Sequence, residues 1–75
     1  MTSDHFERTL RAFQRRMPFR PFTVELVSGS RFQVDHPEAM VVRSGVGVFV
    51  AVDGTPTLFD HEGVAHVTGE EAKTD

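Results

Sequence analysis

The sequence contains no cysteine, no tryptophan and no tyrosine among its 75 residues. Without cysteine the chain cannot form the disulfide bonds that many domains of this size use to compensate for a small core. The seven phenylalanines must then supply nearly all of the large aromatic core volume. We interpret residues 1–75 as a single domain. A well-packed core, self-association, or a metal ion held by histidine and carboxylate side chains remain as ways to stabilise it.

Long apolar runs are also absent. No stretch approaches the roughly 18 consecutive apolar residues of a membrane-spanning helix. The charged residues Asp4, Glu7, Arg8 and Arg11 interrupt the N-terminal segment, which therefore lacks a signal-peptide pattern. The lack of cysteine fits a reducing compartment. These features predict a cytoplasmic protein with no membrane partner.

Charge is unevenly distributed along the chain. Residues 1–20 carry five arginines against two acids, a net charge of +3, whereas residues 21–75 carry three bases against nine acids, a net charge of −6. A nucleic-acid partner would therefore meet the N-terminal region first. Alternatively, the two regions partly neutralise each other within a subunit or across an interface.

The N-terminal region has the pattern of one amphipathic helix. Asp4 with Glu7 three residues later resembles a capping box, and Pro18 disfavours helix beyond it, which predicts a helix over about residues 4–16. Arginines 8, 11 and 15 form a second stripe on another face of this helix. The apolar stripe consists of Phe6, Leu10, Phe13 and Met17.

From Phe22 onward, apolar residues alternate with polar ones, which predicts short strands within about residues 22–69. Pro37 marks a bend or break, and Asp53-Gly54 is the strongest hairpin signal. Residues 70–75 are polar, and we expect them to fray. The glycines 29 and 54 recur at an offset of 25 residues, as two hairpins of similar length would produce. The predicted core consists of Phe6, Leu10, Phe13, Phe22, Val24, Leu26, Phe32, Val34, Val42, Val48, Val50, Leu58, Val64 and Val67, with Phe19 and Phe59 as the phenylalanines expected at the surface.

No catalytic or metal-binding pattern emerges from the polar residues. His61 and His66 are five residues apart, and an odd spacing places side chains on opposite faces of a strand. Asp35-His36 and Asp60-His61 are adjacent pairs that point apart in the same way, so they are poorly placed for acid–base catalysis. We expect no enzymatic activity, no metal, no cofactor and no small-molecule substrate. A small enzyme or metal protein using His36 and His61 is the weakest of three functional hypotheses.

A family resemblance is carried by Arg16, Pro21, Val24 to Gly29, Gln33, Phe59 to His61 and Val64. Together with a short helix, a proline-containing connector and about five antiparallel strands with a bend in the second, these residues resemble the bacterial Sm-like RNA-chaperone family, the Hfq type. Asp60 stands where that family has a lysine, which reverses the charge there. A second resemblance is to small bacterial proteins that share Arg20-Pro21-Phe22, Gly29 and Val34-x-His36-Pro37, and it brings no activity with it.

Together these features predict a mostly β fold class with one N-terminal helix. We expect a small, strongly bent antiparallel sheet that forms an Sm-like or SH3-type barrel. The resemblance implies a ring of about six subunits closed by pairing of edge strands, which would also protect those edges. Our main functional hypothesis is a non-enzymatic binding or assembly module, a homo-oligomer formed through sheet edges with a possible protein partner. The alternative is an Sm-like RNA-binding protein, and its candidate RNA-binding residues are Arg11, Arg15, Arg16, Arg20 and His61.

Overall fold

The N-terminal helix, α1, spans Ser3–Gln14 in the computed structural model, which describes residues 1–69. The helix begins at Thr2 as its N-cap, because the Thr2 Oγ1 atom accepts a hydrogen bond from the backbone N–H of His5 at 3.1 Å. The predicted cap at Asp4 is therefore wrong. Asp4 lies in the first turn, where its carboxylate suits the helix dipole and pairs with Arg8 at 2.9 Å.

The helix ends earlier than the position of Pro18 predicted. Its C-cap is Arg15, and the connector up to Pro21 has neither helix nor strand structure. Met17 consequently lies outside the helix and is 93% exposed, so its place in the predicted apolar stripe is wrong. Phe6 and Leu10 are fully buried, and Phe13 packs against Phe22 with ring centroids 5.2 Å apart.

Six short strands follow the helix in the part of the chain that the structure describes. The predicted strand region is confirmed, and Pro37 falls in the break between the second and third strands. The strands are β1 (Phe22–Leu26), β2 (Arg31–Val34), β3 (Met40–Arg43), β4 (Val46–Val50), β5 (Pro56–Asp60) and β6 (Val64–Gly69). The predicted fraying of residues 70–75 lies outside the described residues.

The strands form two antiparallel sheets of three strands each. Sheet I has the order β2-β1-β6, and sheet II has the order β3-β4-β5. The expectation of a closed barrel is not met by residues 1–69, because β5 pairs only with β4 and β6 pairs only with β1. The segment around Pro37 connects β2 to β3, and a turn connects β5 to β6, so these two connections link the sheets. The inner faces of the two sheets enclose the core.

The core is built from the helix and the inner faces of both sheets. Phe32 of sheet I stacks on Phe49 of sheet II at 4.6 Å, and Phe6 meets Phe59 edge to face at 5.8 Å. Gly47 makes this packing possible, because a Cβ atom there would overlap the Phe59 ring. The fully or almost fully buried residues are Phe6, Leu10, Phe22, Val24, Val34, Met40, Val42, Phe49, Phe59 and Val64.

The predicted core is correct for the helix and sheet I and wrong for part of sheet II. Phe59 was expected at the surface but is only 7% exposed. Val48, Val50 and Leu58 were expected in the core but lie on the outer face of sheet II. The wrong assignment of the buried face of β4 has a simple cause. Residues 46–50 are apolar or glycine at every position, so the period of two does not reveal which face of β4 is buried.

The β1–β2 and β4–β5 loops have the same backbone geometry. In residues 26–30 and 51–55, the first residue accepts a hydrogen bond from the glycine N–H three residues later, at 2.9 and 2.8 Å. It also donates to the carbonyl four residues later, at 2.8 and 3.0 Å. Gly29 and Gly54 have φ of 95° and 90°, a conformation that glycine adopts without steric strain. The recurrence at offset 25 therefore marks two equivalent hairpin loops.

Candidate interaction surface

The outer face of sheet II is apolar and exposed. Strand pairing sets Val41, Val48 and Leu58 side by side across β3, β4 and β5. Val41 is 65% exposed and Leu58 is 70% exposed, so neither is covered by another part of residues 1–69. Alternation along the strands brings further outward residues to the same surface. We call this surface the aliphatic face, which consists of Val41, Val46, Val48, Val50, Pro56 and Leu58.

One end of the aliphatic face carries opposite charges on its two outer strands. Arg43 on β3 and Asp60 on β5 both pair with Val46 of the central strand. Both charged residues are exposed. Asp60 also has a local structural role, because its Oδ1 atom accepts a hydrogen bond from the Gly63 N–H at 2.9 Å in the β5–β6 turn.

An open groove extends the apolar surface past β5. Its volume is about 450 Å³, and Val46 and Leu58 line it from the side of sheet II. Leu26 at the end of β1 and Val27 in the β1–β2 loop line it on the opposite side. Val27 is exposed, so the groove adds apolar surface beside the aliphatic face.

The outer face of sheet I is polar by contrast. One row across its strands consists of Arg31, Glu25 and His66, in which Glu25 Oε1 lies 3.6 Å from Arg31 Nη2 and 3.5 Å from His66 Nε2. The next row is formed by Gln33, Thr23 and Thr68. These side chains present hydrogen-bonding groups to water, as expected for the solvated face of an antiparallel sheet.

The outer edge of β3 is covered by polar side chains of α1. Gln14 Nε2 donates to the Met40 carbonyl at 2.6 Å, and Arg11 Nη2 donates to the Val42 carbonyl at 3.3 Å. One turn earlier on the helix, Glu7 Oε1 accepts the N–H of residue 44 at 2.8 Å. Residues 7, 11 and 14 share one helix face, and they meet alternate residues of the strand. The helix thus satisfies edge groups that would otherwise be available for pairing with another strand.

The outer edge of β5 is short. The bonds Ala51 N–H to Thr55 carbonyl and His61 N–H to Gly45 carbonyl fix which β5 residues face β4. By alternation, the backbone groups of Pro56, Leu58 and Asp60 point to the open edge. Proline has no N–H to donate, and the Asp60 carbonyl already accepts from Gly63 at 3.1 Å. Pairing of another strand along this edge would therefore centre on Leu58.

The predicted RNA-binding arginines are partly engaged in structural contacts. Arg11 bonds to the edge of β3 and lies 3.4 Å from Glu7. Arg16 stacks on the Phe13 ring, with its guanidinium carbon 4.9 Å from the centroid, and donates to the Arg20 carbonyl at 3.0 Å. Arg15 is exposed at the C-terminal end of the helix. Arg15, Arg16 and Arg20 thus cluster at one end of the molecule.

His61 lies apart from this cluster. Its Nδ1 atom is 2.9 Å from the Met1 carbonyl, at the N-terminal end of α1. A carbonyl can only accept, so Nδ1 carries the proton in this contact. The 12-residue helix separates the two ends by roughly 18 Å, so His61 and Arg15 do not share one binding patch.

The catalytic or metal hypothesis named His36 and His61, and of these two His36 makes a local contact. His36 Nδ1 accepts a hydrogen bond from the Glu38 N–H at 3.1 Å. Within residues 1–69 no three histidine or carboxylate side chains are grouped closely enough to hold a metal ion. No helix in the same residues is long and apolar enough to cross a membrane.

Comparison with protein families, curated proteins and solved structures finds no match for this chain. Its function must therefore be inferred from the surfaces described above.

Sequence reasoning missed the aliphatic face, although a signal was present. The run Val46–Val50 is apolar on both of its faces, which is typical of a strand buried on both sides. Residues 1–69 contain only one helix, and its apolar stripe is narrow. One helix cannot cover the inner core and also the outer side of a sheet, so an uncovered apolar face could have been anticipated.

Proposed function

We propose that this protein is a non-enzymatic assembly module that binds a protein partner through the aliphatic face. The observation that carries the proposal is the apolar row Val41, Val48 and Leu58 on sheet II, in which Val48 is half-buried and its two neighbours are exposed. Contiguous apolar patches on a small protein mark interaction sites, because leaving them in water is unfavourable. We place the module in the cytoplasm, a location that the absence of cysteine supports.

Pairing of sheet edges is a second route to assembly. The edges of β5 and β6 each lack a neighbouring strand within the described residues, which supports such pairing. Pro56 shortens the usable edge of β5, and the helix covers the edge of β3. The aliphatic face offers a larger contact than either edge, so we assign it the main role.

An Sm-like RNA-binding protein is the second candidate function. Counting β2 and β3 as one strand broken at Pro37 gives five strands with a bend in the second, which supports the Sm-like resemblance. Arg15 and Arg20 provide positive charge at one end of the molecule. RNA affinity would then fall steeply with salt, and Arg15→Glu would weaken it several-fold. Unchanged affinity in Arg15→Glu would exclude this surface.

A site-specific photo-crosslinker tests the main proposal in the cells that produce the protein. A photoreactive phenylalanine analogue at position 58 samples the aliphatic face. The matched control carries the same analogue at Thr68, which is also exposed on an edge strand but belongs to the polar face of sheet I. We expect a discrete crosslinked protein product from position 58 and a much weaker one from position 68. Equal or absent products at the two positions would overturn the proposal.

A further inference from the structure

We infer that the partner of the aliphatic face is a second copy of this chain, packed face to face about a two-fold axis parallel to β4. The inference rests on the proposed function and names its partner. It goes beyond edge pairing, because the two sheets would stack as layers instead of joining into one continuous sheet. Stacked sheets of this kind lie about 10 Å apart with strand directions within about 30°.

The charges of the aliphatic face are self-complementary about that axis. Arg43 and Asp60 lie on the same row, one strand to either side of Val46. Rotation by 180° about an axis parallel to β4 places β3 of one copy over β5 of the other. Each row of residues across the strands then faces the same row of the other copy. Arg43 then faces Asp60 of the partner subunit, and the reverse contact forms by symmetry. Like charges stay two strands apart, at about 10 Å.

The apolar residues match under the same operation. Val48 of the central strand packs against its own symmetry mate, while Val41 packs against Leu58 of the partner subunit. A two-fold axis across the strands would instead place the charged row over Val50 and Pro56. That arrangement would bury charges against apolar side chains without partners, which is unfavourable. The charge pattern therefore selects one orientation.

The size of the face limits the strength of the dimer. Three strands of about five residues cover roughly 14 Å by 17 Å. This footprint is smaller than the roughly 800 Å² per partner of a standard stable interface. We therefore expect a dimer that dissociates on dilution. The charged row lies at the end of the face, where ion pairs contribute more to orientation than to affinity.

Sedimentation velocity of the purified full chain, from micromolar to millimolar concentration, measures the association directly. We expect the wild type to shift from monomer to dimer over this range. Leu58→Glu places a carboxylate in the middle row of the contact, on an outer strand, and should raise the dissociation constant at least about tenfold. The matched control Thr68→Glu adds the same charge on the outer face of sheet I and should leave the dissociation constant unchanged. A wild type that stays monomeric throughout would overturn the inference.

A charge exchange tests the orientation. Arg43→Glu gives a copy with acids on both outer strands, and Asp60→Lys gives a copy with bases on both. Each variant alone should associate at least several-fold more weakly than the wild type, whereas a 1:1 mixture should restore association, because every acid then meets a base. A mixture no stronger than the separate variants would overturn the two-fold arrangement. Since Asp60 also bonds in the β5–β6 turn, thermal unfolding verifies that the variant is folded. Asp60→Asn, which keeps an oxygen acceptor, is the second variant and should weaken dimerisation without repulsion.

The crosslinking experiment separates failure of this inference from failure of the proposed function. A crosslinked product with the mass of two copies supports both. A product with a different protein, together with a wild type that sediments as a monomer, retains the proposed function and overturns the second copy as the partner. No product at position 58 overturns the proposed function itself.

Discussion

The two sheets of this protein are alike on the inside and opposite on the outside. Both are antiparallel, have three strands and bury valine and phenylalanine on their inner faces. On the outer face of sheet I the middle strand carries Thr23 and Glu25, and its neighbours are polar. On the outer face of sheet II the middle strand carries Val46, Val48 and Val50.

From this difference we predict that the aliphatic face is not required for folding. Sheet I shows that a three-stranded sheet in this chain is compatible with an outer face of threonine, glutamine and charged residues. Valine and threonine both favour strands, because both are β-branched. Strand propensity therefore does not explain why sheet II uses valine where sheet I uses threonine. The binding of an apolar partner that we propose would explain it.

The largest expected effect is a difference in the free energy of unfolding between substitutions on the inner and the outer face of sheet II. Phe59→Ala removes a buried ring that contacts Phe6 and Phe32, and it should lower the free energy of unfolding by about 3–5 kcal/mol. Leu58→Ala, one residue away on the outer face, should lower that of the monomer by less than about 1 kcal/mol. Urea denaturation at low protein concentration measures both. Similar losses would show that the outer face is also part of the core.

The next effect concerns the edge of sheet II that the helix covers. Gln14→Ala leaves the partly buried Met40 carbonyl without its side-chain donor and should lower the free energy of unfolding by about 1–2 kcal/mol. Hydrogen exchange of β3 amides should accelerate in parallel. The exposed Arg8→Ala, in a surface ion pair with Asp4, is the control and should change stability by less than about 0.5 kcal/mol. Equal effects of the two substitutions would contradict the shielding of β3.

A third substitution makes the outer face of sheet II resemble that of sheet I. Val41→Thr combined with Leu58→Thr places β-branched threonine at two exposed strand positions, so the free energy of unfolding of the monomer should change by less than about 1 kcal/mol. Dimerisation should be strongly weakened, because Val48 is then the one apolar residue left in the middle row. Thermal unfolding at low concentration and sedimentation at high concentration separate the two quantities. A large loss of monomer stability would mean that these residues stabilise the fold.

The smallest expected effect is a difference in pH dependence between the two equivalent hairpin loops. The backbone N–H of Thr55 donates to Asp53 Oδ1 at 2.9 Å, and this bond, with a further one from the Thr55 side chain, lowers the pKa of Asp53 below its usual value of 3.8. Because the folded-state pKa is lowered, the bond stabilises the loop above about pH 4 and is lost as the pH falls through the folded-state pKa. The equivalent position in sheet I is Ser28, which does not titrate.

Amide chemical shifts measured against pH test this difference between the loops. The Thr55 amide should titrate below pH 4, and the Ser30 amide should not follow the same transition. Asp53→Asn keeps an acceptor oxygen and should abolish the titration at Thr55. A matching titration at Ser30 would show that both amides report global acid unfolding.

Local sequence patterns predicted the element order well. The helix, the strand region, the break at Pro37 and the hairpin at Asp53-Gly54 all depend on residues close together in the chain, and the structure confirms them. The cap at Thr2 was missed because Asp4 offered a stronger capping-box pattern. The burial of Phe59 was missed because its partners, Phe6 and Phe32, are distant in sequence.

The candidate surface was less predictable than the fold. The arginine stripe was visible in the sequence, but its contacts were not, because Arg11 bonds to β3 and Arg16 to the Arg20 carbonyl only in the folded chain. Nothing in the residue pattern indicated that His61 lies at the opposite end of the helix from Arg15. Conversely, the aliphatic face depends on which residues of β4 point inward, and an apolar run carries no such information.

The sequence by itself determined the secondary structure, the absence of disulfides and the alternation that makes sheet I polar outside. These properties follow from local backbone preferences and from a clear period of two. Only the tertiary structure decided the orientation of sheet II, because both of its faces are apolar. The rings of Phe49 and Phe59 pack in the core, where the missing side chain of Gly47 leaves room for the Phe59 ring. The valines of β4 consequently point outward. The surface that we propose as the binding site is thus a consequence of how the core is packed.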